Sequence, residues 1–341
     1  MIKKLLLLGS IAVMTACTPT KESTIDTTLQ SKVDSILQNK MSEIGAISGQ
    51  AIVMEVQTGE IKTMVGNGIS QESGLIRTAS LLAALETGKV KLSDTVDVGE
   101  GVYEIHNREL LDHNWHRGGY GKLTTLQGLM VNSHIANYKN IERAFEEELA
   151  YFDMLNKMGY GQPENIEGLD SLKAVHFVTP KDSGWSNTSL AWFCIGYNQQ
   201  ISPIQMLTFY NAIANEGKMV KPTLYKGETE VINPQIASKA NIDSLQMALV
   251  KVVTEGLGKP AQSEKVQVAG VSGGSQISTD EDNSEGRVNT IYSVEYCGYF
   301  PAENPKYSII VSMNKVGLPA SGNLMAGSVF KEIVDYIEAN K

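Results

Sequence analysis

Serines, lysines and histidines at short spacings are the groups through which this 341-residue chain could do covalent chemistry. A serine followed three residues later by a lysine puts a nucleophile and a base on one face of a helix. Ser328-Val-Phe-Lys331 has that spacing, and Ser321-Gly-Asn323 supplies a hydroxyl with an amide beside it. Both patterns are loose, arise readily by chance and stand at the chain's end, so they read as decoys. Ser73 lies four residues before Arg77, but a guanidinium keeps its proton, with a pKa above about 12, and cannot act as the base. Capping the next helix is the role predicted for Ser73. His113-Asn-Trp-His116 holds two imidazoles in a glycine-rich loop without a cysteine or clear carboxylate partner. That pattern predicts packing around Trp115, not a metal centre. His134 could shuttle protons near neutral pH, yet Ser133 is its immediate neighbour and adjacent helical residues do not face each other. No cofactor motif is present.

Elements must carry these groups. Thr28 opens an amphipathic helix with Leu29, Val33, Ile36, Leu37, Met41 and Ile44 near one face. Residues 51–56 and 60–65 form strand-like runs joined at Thr58-Gly59, a hairpin signal. A helix carrying Gly74 and Arg77 then stops at Gly88. Residues 100–123 are irregular; Thr124 and Gln127 stand at capping-box spacing and open a helix through about Ala136. Ser202, Pro203 and Gly217 punctuate a helix with a core stripe that includes Leu207 and Tyr210. A further helix spans 243–255. Strand-like runs follow at 267–270, 293–300 and 307–313, with a closing helix over 325–339. The acidic run Asp280, Glu281, Asp282 and Glu285 reads as a solvated loop tip. This order predicts an α/β (α+β) fold, an antiparallel sheet flanked by helices.

The start reads as a processing signal. Lys3 and Lys4 precede an apolar run, Leu5 to Val13, too short to cross a bilayer, and Met14-Thr15-Ala16-Cys17 places small residues before a cysteine. This predicts a lipoprotein signal peptide over 1–16, acylation of Cys17, a tether over 17–27 and one domain over 28–341. Removing 1–16 takes away two lysines, so the formal charge falls from −9 to −11. Such an acidic exported domain argues against nucleic-acid binding. Cys194 and Cys297 sit in apolar contexts; a bridge and buried free thiols both fit their spacing.

Much of the chain resembles a known family. The hairpin over 51–65, with Thr58-Gly59-Glu60 at its turn, is similar to the first hairpin of penicillin-binding transpeptidase domains. Ser183-Gly-Trp-Ser-Asn-Thr, Ile195-Gly-Tyr and Ser202-Pro-Ile-Gln-Met-Leu resemble the central segment of the class B enzymes, especially division-type ones from Bacteroidetes. Val253-Thr-Glu-Gly-Leu-Gly-Lys and Cys297-Gly-Tyr-Phe-Pro match later family segments. The resemblance covers roughly residues 45–341 and implies the penicillin-binding transpeptidase, serine β-lactamase-like fold. The large N-terminal domain usual in class B enzymes has no counterpart in it.

The family's chemistry needs Ser-x-x-Lys, Ser-x-Asn and Lys-Thr-Gly motifs, and all three are altered at the matching positions. Gly74 stands for the serine and Arg77 for the lysine. Asn132 stands for the second motif's serine and His134 for its asparagine. Val271 takes the third motif's lysine position, Ser272 its threonine, Gly273 its glycine and Gly274 the final hydroxyl residue. The resemblance therefore implies a lipid-anchored, exported pseudoenzyme of peptidoglycan biogenesis, facing the periplasm or envelope and acting by binding. Its implied partners are cell-wall synthesis or division proteins, a peptidoglycan stem peptide, and the membrane through the lipid. The alternatives are an active D,D-transpeptidase or carboxypeptidase with relocated groups such as Ser73, Ser272 or His134, or a non-covalent β-lactam or muropeptide sensor.

Overall fold

The computed structural model describes residues 21–341 except 70, 171, 228 and 283–286, and for 278–282 and 287–289 the backbone alone. The expected signal peptide and Cys17 lie outside the described residues. Ser23 already bridges to Tyr225, and the buried Thr24 hydroxyl donates to Ile61 O at 2.6 Å, so the latter part of the expected tether docks on the domain.

Helix α1 (Thr27–Ile44) leads into the hairpin β1 (Ala46–Glu55) and β2 (Ile61–Gly66). Then come α2 (Ile76–Glu86), β3 (Thr95–Gly99), β4 (Val102–Ile105), β5 (Arg108–Leu111) and β6 (Gly121–Thr124). A helical run follows: α3 (Thr125–Met130), α4 (His134–Ala144) and α5 (Glu148–Lys157). Next are β7 (His176–Phe177), α6 (Ser189–Phe193), β8 (Gln199–Gln200), α7 (Pro203–Ala214), β9 (Met219–Val220), β10 (Val231–Asn233) and α8 (Lys239–Thr254). The chain closes with β11 (Ala269–Asp282), β12 (Arg287–Phe300), β13 (Tyr307–Val316) and α9 (Ala326–Ala339).

The main sheet is antiparallel, in the order β11-β12-β13-β1-β2. Both of its faces are covered, which is why β1 buries Ala51, Ile52, Val53 and Met54 without a polar interruption. Ala51 and Val53 join α1 and α9 in one core; Ile52 and Met54 face α2 and α7 in the larger one. Helix α7 is buried along its whole length and opens with Ser202 as the expected N-cap, which also forms a capping box with Gln205. It braces α2, because the Tyr210 hydroxyl lies 2.9 Å from Leu75 O and 2.7 Å from Thr78 Oγ1.

Three expectations change. The helix expected from Thr124 to Ala136 is two helices: Asn132 adopts φ +57°, and Ser133 starts afresh as N-cap, accepting from Ala136 N at 3.0 Å. An asparagine tolerates this left-handed backbone where most residues do not. Gly74 lies in the turn before α2, not within it. Strand β11 runs far beyond residue 270, and the backbone of Asp280–Asp282 is paired strand with β12, not loop. The tip at 283–286 is outside the described residues. Cys194 and Cys297 are both buried and free.

Candidate active-site cleft

Three elements meet where the altered motifs fall: the start of α2, the α3–α4 junction and strand β11. Gly74 is pressed against β11. A Cβ built there would stand 2.6 Å from Gly274 O, 2.9 Å from Gly274 N and 3.0 Å from Arg77 Nη1. Nothing larger than hydrogen fits unless the strand withdraws. Gly273 is in the same position from the other side, since its Cβ would lie 2.8 Å from Leu75 N. The two glycines let helix start and strand touch through their backbones.

Arg77 is only 5% exposed. Its Nη2 donates to Ser272 O at 3.4 Å, while Nε and Nη1 find no partner among the described residues. Burial lowers its pKa from the ordinary arginine value, opposed by nearby groups including Tyr210 and Glu295. Asn132 Nδ2 donates to Ser272 Oγ at 2.9 Å and to Ser272 O at 3.3 Å, tying the α3–α4 junction to β11. The left-handed turn at Asn132 is what aims that amide across the gap.

His134 opens α4 and donates from Nδ1 to Leu111 O at 3.0 Å. A carbonyl only accepts, so the proton sits on Nδ1 and the neutral ring keeps Nε2 as an acceptor. Burial, helped by the Arg77 charge, pushes its pKa down to about 3. Asp112 holds this helix start in place: its carboxylate accepts from Ser133 Oγ at 2.7 Å and Ile135 N at 3.2 Å. Burial raises the Asp112 pKa against those hydrogen bonds.

A cleft of about 720 Å³ opens over these groups, bordered by Arg77, Asn132, His134 and Ser272–Gly274. Val271 does not reach it and is buried in the larger core. Ser73 does not border it either. That hydroxyl is 2% exposed, donates to Glu295 Oε2 at 2.7 Å and accepts from Leu75 N at 3.4 Å in the turn before α2; the N-cap of α2 is Leu75, without a side-chain bond, so the expected capping by Ser73 is replaced by its contact with Glu295. Among the described residues, no hydroxyl of Ser73 or Ser272 is hydrogen-bonded to an imidazole, and where Ser73 does meet a carboxylate, Glu295, both are buried and neither borders the cleft.

Glu295 was not singled out from the sequence. It is buried, and burial raises its pKa to about 7, against hydrogen bonds from Ser73 and Gln71. An acid inside the strand-like run 293–300 was the signal that marked it. Asp112 and Arg117 were missed in the irregular stretch 100–123, which carries no periodicity to place them. Of the histidine pair, His113 contacts the Tyr120 hydroxyl at 3.1 Å and His116 packs edge-on against Trp115. Ser321 and Asn323 border the cleft from the far side, whereas Lys331 is ion-paired to Asp335 at 2.6 Å and Ser328 donates to Met325 O.

Residues 49–335 match the family model described as the Penicillin binding protein transpeptidase domain. The chain is 24% identical to penicillin-binding protein PbpB of Mycolicibacterium smegmatis, over 93% of this chain and 54% of that one. It is 22% identical to peptidoglycan D,D-transpeptidase FtsI of Escherichia coli, over 83% of this chain and 49% of that one. It thus spans about half the length of the curated relatives it matches. The transpeptidase domain of penicillin-binding protein 3 from Burkholderia pseudomallei superposes with a TM-score of 0.79 at 22% identity, covering 94% of this chain and 96% of that one. Penicillin-binding protein 3 from Mycobacterium tuberculosis gives 0.76 at 21% identity, covering 94% and 79%. With its antiparallel sheet, flanking helices and family match over most of its length, the chain belongs to the penicillin-binding protein transpeptidase domains, of the class B kind.

Proposed function

We propose that this protein is a non-catalytic member of its family that serves peptidoglycan synthesis in the cell envelope by binding. The observation that carries this reading is the contact at Gly74. The residue offers no nucleophile, and the backbone of β11 fills the space a side chain there would need. Arg77 beside it cannot take a proton from an attacking hydroxyl. Loss of the nucleophile alone costs on the order of 10⁶ in rate in a comparable serine hydrolase. Of the relocated groups, Ser73 is enclosed with Glu295 and Ser272 has Asn132 as its side-chain partner, which supports binding over acyl transfer.

The leader pattern at residues 3–17 supports attachment to a membrane by a lipid on Cys17, with envelope proteins of wall synthesis or division as partners. Strand β11 lies at an edge of the sheet and could pair with an extended stem peptide through its backbone. Incubation with a fluorescent penicillin, boiling in detergent and electrophoresis test the central reading. The expected result is no labelled band. An adduct mapped by mass spectrometry to Ser73, Ser272 or any cleft residue overturns it.

A further inference from the structure

The chain enters the fold along one edge of the main sheet. Residues 21–26 run beside β2, at the edge opposite β11. Thr24 Oγ1 donates to Ile61 O at 2.6 Å, Asp26 N to Lys62 O at 2.9 Å, and Met64 N to Gln30 Oε1 at 3.2 Å. On its other side this strap is held by Thr24 N donating to Leu224 O and Lys226 N to Glu22 O. Three ion pairs, Lys21–Glu167, Lys226–Glu22 and Lys221–Glu230, neutralise much of the charge at this corner. Next to it opens a cavity of about 500 Å³ that shares no lining residue with the cleft, with Met64, Ile69, Leu169, Leu172, Pro203 and Ile204 in its walls. Ile69 is 50% exposed at the rim, and Leu169 stands two residues after Glu167. With Glu164 and Asp170 exposed on the same loop as Lys173, this corner offers an anionic bilayer no surplus of positive charge. What it brings to a lipid surface is apolar area.

From this placement we infer that the β2 edge of the domain rests on the bilayer, with Ile69 and the mouth of that cavity in the headgroup region and the cleft held at the far edge of the sheet. The inference rests on the reading of Cys17 as the lipid-bearing residue and says which face that lipid draws to the membrane. Four residues lead from Cys17 to Lys21, and even a fully extended chain spans at most about 14 Å over that distance. The headgroup region is itself roughly 5–8 Å deep on each side of the hydrocarbon. So short a lead keeps the strapped corner, and no other, at the lipid surface. Lys173, at the cavity, can lay its stem on the apolar wall and keep its ammonium among the headgroups. From β2 to β11 the sheet measures four strand spacings, about 19 Å, so the cleft with β11 as one wall stands clear of the lipid.

The full chain, purified in acylated form from bacterial membranes and reconstituted into vesicles of phosphatidylethanolamine and phosphatidylglycerol, tests this. An environment-sensitive thiol dye is placed at Ile69→Cys or, as the far-edge reference, at Leu324→Cys, a position 65% exposed at the cleft. Cys194 and Cys297 are buried and stay unlabelled. Lipids carrying a nitroxide in the acyl region should quench the dye at position 69 at least about twofold more than at 324. Raised salt should leave that difference unchanged, because the contact is apolar. Equal quenching at the two positions, stronger quenching at 324, none at either, or a difference lost in raised salt overturns the face assignment; where the protein's mass shows lipid on Cys17, the anchor stands. A mass without lipid on Cys17 overturns the anchor reading and this inference with it.

Discussion

At the scale of single residues, the site is defined by atoms that replace one another. Where a side chain at position 74 would stand, the Gly274 carbonyl and the Arg77 guanidinium already do. Restoring the family's chemistry by Gly74→Ser with Arg77→Lys should therefore fail. The double variant is expected to lose about 1–3 kcal/mol of stability from overpacking and to remain unlabelled by fluorescent penicillin; thermal melting and gel fluorescence check both. Glu295 and His134 give the protein a pH signature. Glu295 is raised to about 7 in the fold, so its contribution is complete below the ordinary carboxyl range and is lost as pH rises through about 7. His134 is depressed to about 3, so its contribution is present above the ordinary imidazole value and is lost as pH falls toward 3. Glu295→Gln should therefore raise the melting temperature relative to the parent at pH 8 more than at pH 5. A shift of equal size at both values would contradict the buried-acid assignment. None of this replacement chemistry was legible in the residue types alone: the sequence shows that a serine and a lysine are missing, but only the backbone contact shows that the room for a side chain at position 74 is gone.

Among the elements, legibility followed local physics. The capping box at Thr124 and the N-cap at Ser202 were readable because such hydrogen bonds span three residues. The break at Asn132 was not, because a single left-handed residue interrupts an apolar pattern that otherwise continues. Its justification is distant, the bond from Asn132 to Ser272 on β11. Asp112 is likewise invisible as a cap, since it closes α4 from a loop 21 residues before Ser133. Asp112→Ala should destabilise the domain by about 1–3 kcal/mol, as expected for leaving the N-terminal donors of α4 unmet, and denaturant unfolding measures it. If instead stability held and only binding at the cleft changed, Asp112 would belong to binding and not to the helix cap.

For the whole molecule, the order of strands and helices announced an antiparallel sheet with covered faces, and the family match extends that over residues 49–335. Convergence of α2, the α3–α4 junction and β11 into one cleft could come only from the resemblance, because Asn132 and Ser272 are 140 residues apart and no local rule joins them. The two cysteines were left open by spacing and are settled by packing: burial raises the Cys194 thiol pKa to about 12, and Cys297 is raised as well. Neither should react with a thiol reagent such as DTNB in the native protein, and both should react once it is denatured. Rapid native labelling at either position would show that the core opens far more readily than its burial indicates.

Helix α7, enclosed from Pro203 to Ala214, has one more consequence. A rod with no wet side cannot loosen alone: water reaches its amides only after sheet, α2 and α8 have parted around it. Deuterium should therefore enter last at Leu207–Ile213, at a rate set by opening of the entire domain. The walls of the cleft stand or fall with this pillar, so anything held between them depends on it.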